Sequence, residues 1–258
     1  MAEFVTMELP EGDTARRVAV LRISRPPLNL LNAQVVRELA DAADALATDA
    51  TVAAVVLYGD ERVFSAGDDL AELAGLSAQQ ASAMADDLQR ALGCLARLPQ
   101  PTVAAISGYC LGAGLELALG ADRRVIGDNV KLGLPQILAG LIPLSGIRRL
   151  SLLIGPVPAK DLVYTGRFVE SDEARALGLV DEVVAPDDVY TAALRWAGQF
   201  TEGPARALAA AKAVFEAGPH GLDRARTEWA ELFGTEDRNI GTWSYLADGP
   251  GSAAFVGH

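Results

Sequence analysis

The chain has 258 residues, half of them hydrophobic, with 22 basic against 34 acidic side chains and a formal net charge of −12. This supports one large domain, or one with a small appendage, and argues against disorder. The acidic balance speaks against a nucleic-acid binder, which needs clustered Lys and Arg, and the two cysteines, Cys94 and Cys110, offer neither a disulfide framework nor a C-x-x-C pair, as expected in a reducing, cytoplasmic setting.

The amino-terminal MAEFVTMELPEG lacks the charged-then-apolar pattern of a secretory signal. Arg17–Ile23 (RVAVLRI) predicts a strand that the Pro-Pro pair at 26–27 ends. Residues 34–47 carry Val35, Val36, Leu39, Ala42, Ala43 and Leu46 at helical spacing. Residues 53–57 (AAVVL) are a continuous apolar strand, suited to a parallel sheet buried on both faces. The loop ERVFSAGDD then leads into helical sequence through about Leu98, with Asp69 as the expected cap ahead of Leu70-Ala71-Glu72. Thr102–Ile106 predicts another strand. The glycine turn of GYCLGAGLELALG follows at 108–120, and a helix is expected from Leu115.

Residues 123–126 return as a strand, and 132–134, a Pro-Gln step and the loop AGLIPLSGI come next. Beyond Arg148 helices dominate, save a short strand at Glu182–Val184, and 222–233 is amphipathic. The uncharged stretches 98–115 and 132–147 contain Pro, Gln, Ser and several Gly, so they read as buried interior and not as membrane spans. Repeated β-then-α units predict an α/β fold with helices outside the sheet.

Much chemistry is disfavoured at once. His220 and His258 are too few and too peripheral for a histidine triad, no G-x-S-x-G elbow or P-loop occurs, and no His/Cys set has zinc spacing, so no metal is expected. Two readings of the glycine turn remain. Gly112-Ala113-Gly114-Leu115-Glu116-Leu117 approximates a dinucleotide fingerprint, but the third small residue, needed for close helix packing, is leucine. Alternatively the turn presents backbone donors to an oxyanion. Glycines bring N–H groups close to a ligand, and a helix start adds unpaired donors and partial positive charge. One such donor is worth about 100- to 1,000-fold in rate. A second would come from the loop at 63–70, which also follows an apolar strand and leads into a helix. Glu116 is the one carboxylate of the turn: a dipole-stabilised helix residue, or a base whose pKa apolar burial raises toward the working pH.

FSAGDDL at 64–70 and PTVAAISGYCLGAGLELA at 101–118, with ADRRV at 121–125, GLPQILAGLIP at 133–143 and the ARALGLVDEVV stretch ending at 184, closely resemble the crotonase (enoyl-CoA hydratase/isomerase) superfamily. The resemblance begins at RPPLNLLN (25–32) and covers nearly the whole chain. It implies an α/β crotonase (ClpP-like) fold of repeated ββα units over residues 1–200 and a helical trimerisation region over 201–258. It further implies an acyl-CoA thioester as substrate, with coenzyme A part of that substrate and no separate cofactor, and a homotrimer or dimer of trimers. Neither nucleic acid nor membrane is an expected partner.

Matched position by position, the thioester oxygen would meet the backbone N–H groups of Asp68 and Ala113. Of the two glutamates that flank water in hydratases of the superfamily, one matches Glu116 and the other falls on Gln136, which can orient water but not exchange protons with it. The coenzyme would draw on Arg25, Arg62, Phe64, Ala66, Gly67, Gly112 and, from a neighbouring subunit, Trp229. A lysine of the family pattern falls on Asp248. Leu70, Leu73, Leu134, Leu141 and Leu144 would line the acyl pocket. The expected activity is enoyl-CoA hydration through a single glutamate, with an isomerase or a CoA-thioester binding protein as alternatives.

Overall fold

Short apolar runs alternate with helices so regularly that the architecture is best followed unit by unit. In the computed structural model, which describes residues 2–10 and 16–257, β1 (Val5–Glu8) leads into β2 (Arg17–Ile23), an isolated pairing at Leu31, and α1 (Ala33–Thr48). Asn32 caps that helix by accepting a hydrogen bond from the Val35 N–H (2.9 Å). β3 (Val52–Tyr58) is followed by a pairing at Ser65, then α2 (Leu70–Leu73), α3 (Ala78–Leu92) and α4 (Cys94–Arg97).

The third unit is β4 (Thr102–Ile106), β5 (Tyr109–Leu111) and α5 (Ala113–Ala118). The fourth is β6 (Arg123–Gly127), β7 (Lys131–Gly133), a 3-10 turn over Pro135–Ala139 and α6 (Gly146–Ile154). Then come α7 (Pro156–Thr165), β8 (Val169–Glu170), α8 (Ser171–Leu177), β9 (Glu182–Val184) and α9 (Val189–Gly198). Three helices close the chain: α10 (Ala205–Glu216), α11 (Gly221–Leu232) and α12 (Glu236–Asp248).

The main sheet runs β1-β2-β3-β4-β6-β9, parallel except for the β1–β2 edge pair. Every residue of β3 is buried, because both faces are covered. Alternate side chains part to opposite sides. Val55 and Leu57 join Leu21, Leu39 and Leu95 in one core, while Ala54 and Val56 meet Val103, Val125 and the α9 residues Val189, Ala192 and Ala193 in another. Each large aliphatic side chain so buried stabilises the fold by about 1.5–3 kcal/mol.

A smaller sheet, β5-β7-β8, positions the site. The first part of each repeat lies in the main sheet and the second pairs alongside the equivalent segment of the next unit: Leu31 with Asp68, Ser65 with Cys110, and β5 with β7, all parallel. The residues that follow those segments are therefore brought side by side, although they are far apart in sequence. Gly112 N–H donates to Gly133 O at 2.9 Å across the last of these junctions.

Several expectations are corrected. The helical run through Leu98 breaks into α2, α3 and α4, and helix α5 begins at Ala113 instead of Leu115; the segment near 132–134, to which the sequence assigns no element, carries strand β7 at Lys131–Gly133. Asp69 precedes α2 but makes no side-chain cap bond, because its carboxylate pairs with Arg25 at 2.9 Å. The stretches 98–115 and 132–147 are strands, turns and short helices, and no described helix is long and apolar enough to cross a membrane. His258, one of the two histidines judged peripheral, lies outside the described residues, as does part of the amino-terminal segment.

Candidate active site

Two glycines of the turn have distinct structural reasons. Gly112 sits at φ +51°, where a Cβ would also press on the Asp68 carboxylate. Gly114 lies so close to Ser65 that a Cβ would come within 2.7 Å of its side chain. The turn therefore packs directly onto the 63–70 loop. That loop is braced from below by Asn29, which is buried at φ +50° and donates from Nδ2 to the carbonyls of Val63 (3.0 Å) and Phe64 (3.3 Å). The Ser65 hydroxyl donates to Asn29 O at 2.7 Å and accepts from Gly67 N–H at 3.1 Å.

Glu116, one turn into α5, is almost wholly buried. Its Oε2 accepts from the backbone N–H groups of Ser145 (2.5 Å) and Gly146 (2.6 Å) at the start of α6, and from the Ser145 hydroxyl (3.1 Å). Oε1 accepts from Gln136 Nε2 at 2.9 Å. Burial pushes its pKa above the ordinary carboxylate value and the nearby Asp68 charge adds to that, while the Ser145 and Gly146 bonds oppose them. The result is a fixed carboxylate that accepts a proton more readily than one in water.

Gln136 bridges two acids. The same Nε2 that meets Glu116 lies 3.3 Å from Asp68 Oδ2, and Gln136 Oε1 is buried and accepts no hydrogen bond. Asp68 Oδ2 also accepts from Ala113 N–H at 3.2 Å, and the Asp68 backbone N–H bonds its own carboxylate. Desolvation pushes the Asp68 pKa up, against those bonds. Asp68, Ala113, Glu116 and Gln136 thus form one cluster, in which the Asp68 carboxylate collects both N–H groups expected to serve a thioester oxygen.

Over residues 13–238 the sequence matches the family described as Enoyl-CoA hydratase/isomerase. The chain belongs to this family. It is 52% identical over 237 residues to a protein of Mycobacterium tuberculosis H37Rv named "Probable enoyl-CoA hydratase EchA17", covering 90% of this chain and 91% of the relative. To "Probable enoyl-CoA hydratase echA8" of Mycobacterium bovis it is 37% identical over 238 residues, covering 90% and 92%. In three dimensions it is similar to the crystal structure of an enoyl-CoA hydratase from Bacillus anthracis, with a TM-score of 0.89, 28% identity and coverage of 99% of this chain and 100% of that one. The fold is the crotonase fold.

The other residues matched to the enoyl-CoA hydratase/isomerase pattern fall into different environments. Arg62 and Trp229 are exposed, and the Trp229 ring meets that of Phe233, just past the end of α11, at a tilt; α11 packs on α10. Asp248 ends α12. Arg25 is not a free cation, since it pairs with Asp69 and donates to Leu30 O at 3.2 Å. Phe64 is fully buried in the core, so its side chain is unavailable to a coenzyme; Ala66, bonded through its N–H to Leu28 O (2.9 Å), and Gly67 offer backbone only. Among the acyl-pocket candidates Leu134 is core, whereas Leu70 and Leu141 are exposed and Leu73 and Leu144 half-buried. A cavity of about 930 Å³ lined by Gln100, Lys212, Arg224 and Glu228 includes none of Asp68, Glu116 or Gln136.

Sequence reasoning missed Asn29, Ser65 and the Ser145–Gly146 amides. The Ser145 and Gly146 donors are backbone atoms, which side-chain identity does not advertise, and the Asn29 and Ser65 side chains act on backbone groups that only the fold brings to them.

Proposed function

We propose that the chain is a hydratase adding water across the C2=C3 bond of an enoyl-CoA thioester, with Glu116 as the base. The observation that carries this reading is the buried Glu116 carboxylate, fixed by the Ser145 and Gly146 amides and joined to Gln136. In the proposed complex the thioester oxygen takes the Asp68 and Ala113 N–H groups, which offset the charge that develops on it. Gln136 Oε1, an acceptor without a protein partner, orients the attacking water for Glu116. The thioester supplies the activation this chemistry needs, so the reading includes no metal or redox cofactor.

The test follows the loss of enoyl-thioester ultraviolet absorbance with crotonyl-CoA and with longer and aromatic enoyl-CoAs. Wild type is expected to turn over, and Glu116→Gln to lose about 100- to 10,000-fold, the usual range for a general base. A silent wild type, with activity emerging only in Gln136→Glu, overturns the single-glutamate mechanism.

We further infer a cytoplasmic homotrimer or dimer of trimers. Two free, buried cysteines are compatible with the reducing compartment. The carboxy-terminal helices leave Phe215, Leu222, Trp243 and Leu246 largely exposed, an apolar load unusual for a monomer's surface. Sedimentation equilibrium is expected to give three or six times the 27.0 kDa chain mass, and a monomer at micromolar concentration refutes the assembly.

A further inference from the structure

We infer that Asp68 is a second catalytic acid of this site, the carboxyl group that protonates C2 while Glu116 takes its proton from water. The inference rests on the hydratase reading and adds a residue to it. Three observations converge. Position 136, where the family pattern has a second glutamate, carries an amide that cannot donate a proton. The Asp68 carboxylate lies 3.3 Å from the same Gln136 nitrogen that holds Glu116, so one side chain presents two carboxyl groups to one space. Asp68 also collects its own N–H and that of Ala113, which places its carboxyl at the thioester end of the site.

A bound thioester oxygen must displace the Asp68 carboxyl from those two amides. Rotation about the side chain does this; the oxygen that leaves Ala113 N–H is the one that meets Gln136 Nε2, so in the proposed complex the turned carboxyl re-forms its contact with Gln136 beside C1 and C2 of the enoyl group. An ionised Asp68 there would repel the growing enolate. A protonated one does not, and it puts a proton beside the carbon that needs it. Burial and the neighbouring Glu116 both favour a single negative charge on the pair, and desolvation raises the affinity of Asp68 for the proton. The other groups around Asp68 are the Gln136 amide and the adjacent Asp69, whose charge Arg25 balances.

The steps balance. The Glu116 carboxylate removes a proton from water as its oxygen bonds to C3, and the C2=C3 electron pair moves to form the enolate. Asp68 gives its proton to C2, the enolate pair becomes the new C–H bond, and C1=O re-forms. Carboxylate charge on Asp68 appears as the enolate charge vanishes. Glu116 then loses its proton to solvent and Asp68 regains one, so the net change is addition of one water.

The experiment compares wild type, Asp68→Asn and Asp68→Asn/Gln136→Glu, with crotonyl-CoA for turnover and saturated butyryl-CoA as a ligand that cannot be hydrated. Asp68→Asn keeps the backbone donor and the side-chain volume. It is expected to lower kcat by about 100-fold or more, the usual worth of a general acid. Its butyryl-CoA affinity should stay within tenfold of wild type, and the basic limb of the pH–kcat/KM profile should be lost. The added glutamate is expected to restore at least tenfold and return a basic limb. Asp68→Asn with kcat within tenfold of wild type, or faster, overturns the inference and leaves Asp68 as a competitor for the amides. Loss of butyryl-CoA binding together with kcat also overturns it, marking a structural role. A wild type inactive on every enoyl thioester refutes the hydratase reading itself, and the acid role falls with it.

Discussion

At Glu116 solvent exclusion opposes hydrogen bonding. Burial favours the protonated carboxyl, the Ser145 and Gly146 donors favour the ionised one, and burial is the larger effect. The proposed base must be ionised to act, so the acid limb of kcat/KM is expected above the ordinary carboxylate range. Ser145→Ala removes the hydroxyl donor at 3.1 Å while leaving the backbone donor in place, which favours the protonated form further. The limb should therefore move to higher pH, and a profile of both proteins between pH 5 and 8 checks the sign. An unmoved or lower limb refutes it. Glu116 was legible in the sequence as a lone carboxylate after a glycine turn. The Asp68 carboxylate was not, because an acidic pair ahead of a helix looks like capping, and only the folded chain brings it to Ala113 and Gln136.

Among the elements of the main sheet, β1 is weakly anchored: a four-residue edge strand with one buried side chain. Glu38 of α1 ties it down, accepting from the N–H groups of Glu3 (3.0 Å), Phe4 (2.7 Å) and Val5 (2.9 Å). Burial would raise its pKa, but these bonds and the one from Gln34 together outweigh it and bring the value to about 2. With the folded pKa below the unfolded one, Glu38 stabilises the fold above about pH 4.5, and the contribution fades as pH falls toward 2. Glu38→Gln is expected to cost roughly 1 kcal/mol at pH 7, a figure reduced because the group is only partly buried and is screened by solvent. Urea midpoints at pH 7 and pH 3 should show the deficit shrinking at the lower pH; an equal deficit contradicts the mechanism.

Segment length explains most of what could be read in advance, with the three-residue β9 the exception. Strands β2, β3 and β4 announce themselves by apolar runs, and α1 by its periodicity. Strands β1, β5 and β8 hold four, three and two residues, too few to carry a period, and exist because a neighbour is there to pair with.

For the whole molecule, a buried lysine helps fasten the carboxy-terminal helices to the repeats. Lys212 of α10 is buried and donates to Leu95 O (2.8 Å), Gln100 O (2.9 Å), Thr102 Oγ1 (3.2 Å) and Asp122 Oδ2 (2.7 Å). In sequence it sits in an alanine-rich helix and reads as a solvated charge; it is buried because α10 lies over the segment joining α4 to β4. Lys212→Met removes the cation paired with Asp122 and the Nζ donor to the Leu95 and Gln100 carbonyls. Breaking a buried pair costs roughly 3–5 kcal/mol, and the partial exposure of Asp122 places this one near the lower end. Thermal unfolding should show a fall of several degrees, whereas an unchanged Tm refutes the fastening role.

The parallel registration of the repeats has a consequence for the thermodynamics of ligand capture. The Asp68 and Ala113 amides are held by strand pairing and by the junction onto Gly133, and Glu116 is locked by a second helix start. The entropy of ordering these groups is therefore met when the chain folds, not when an acyl chain arrives. In the proposed complex the Asp68 side chain, which occupies both amides, is the group that must turn aside.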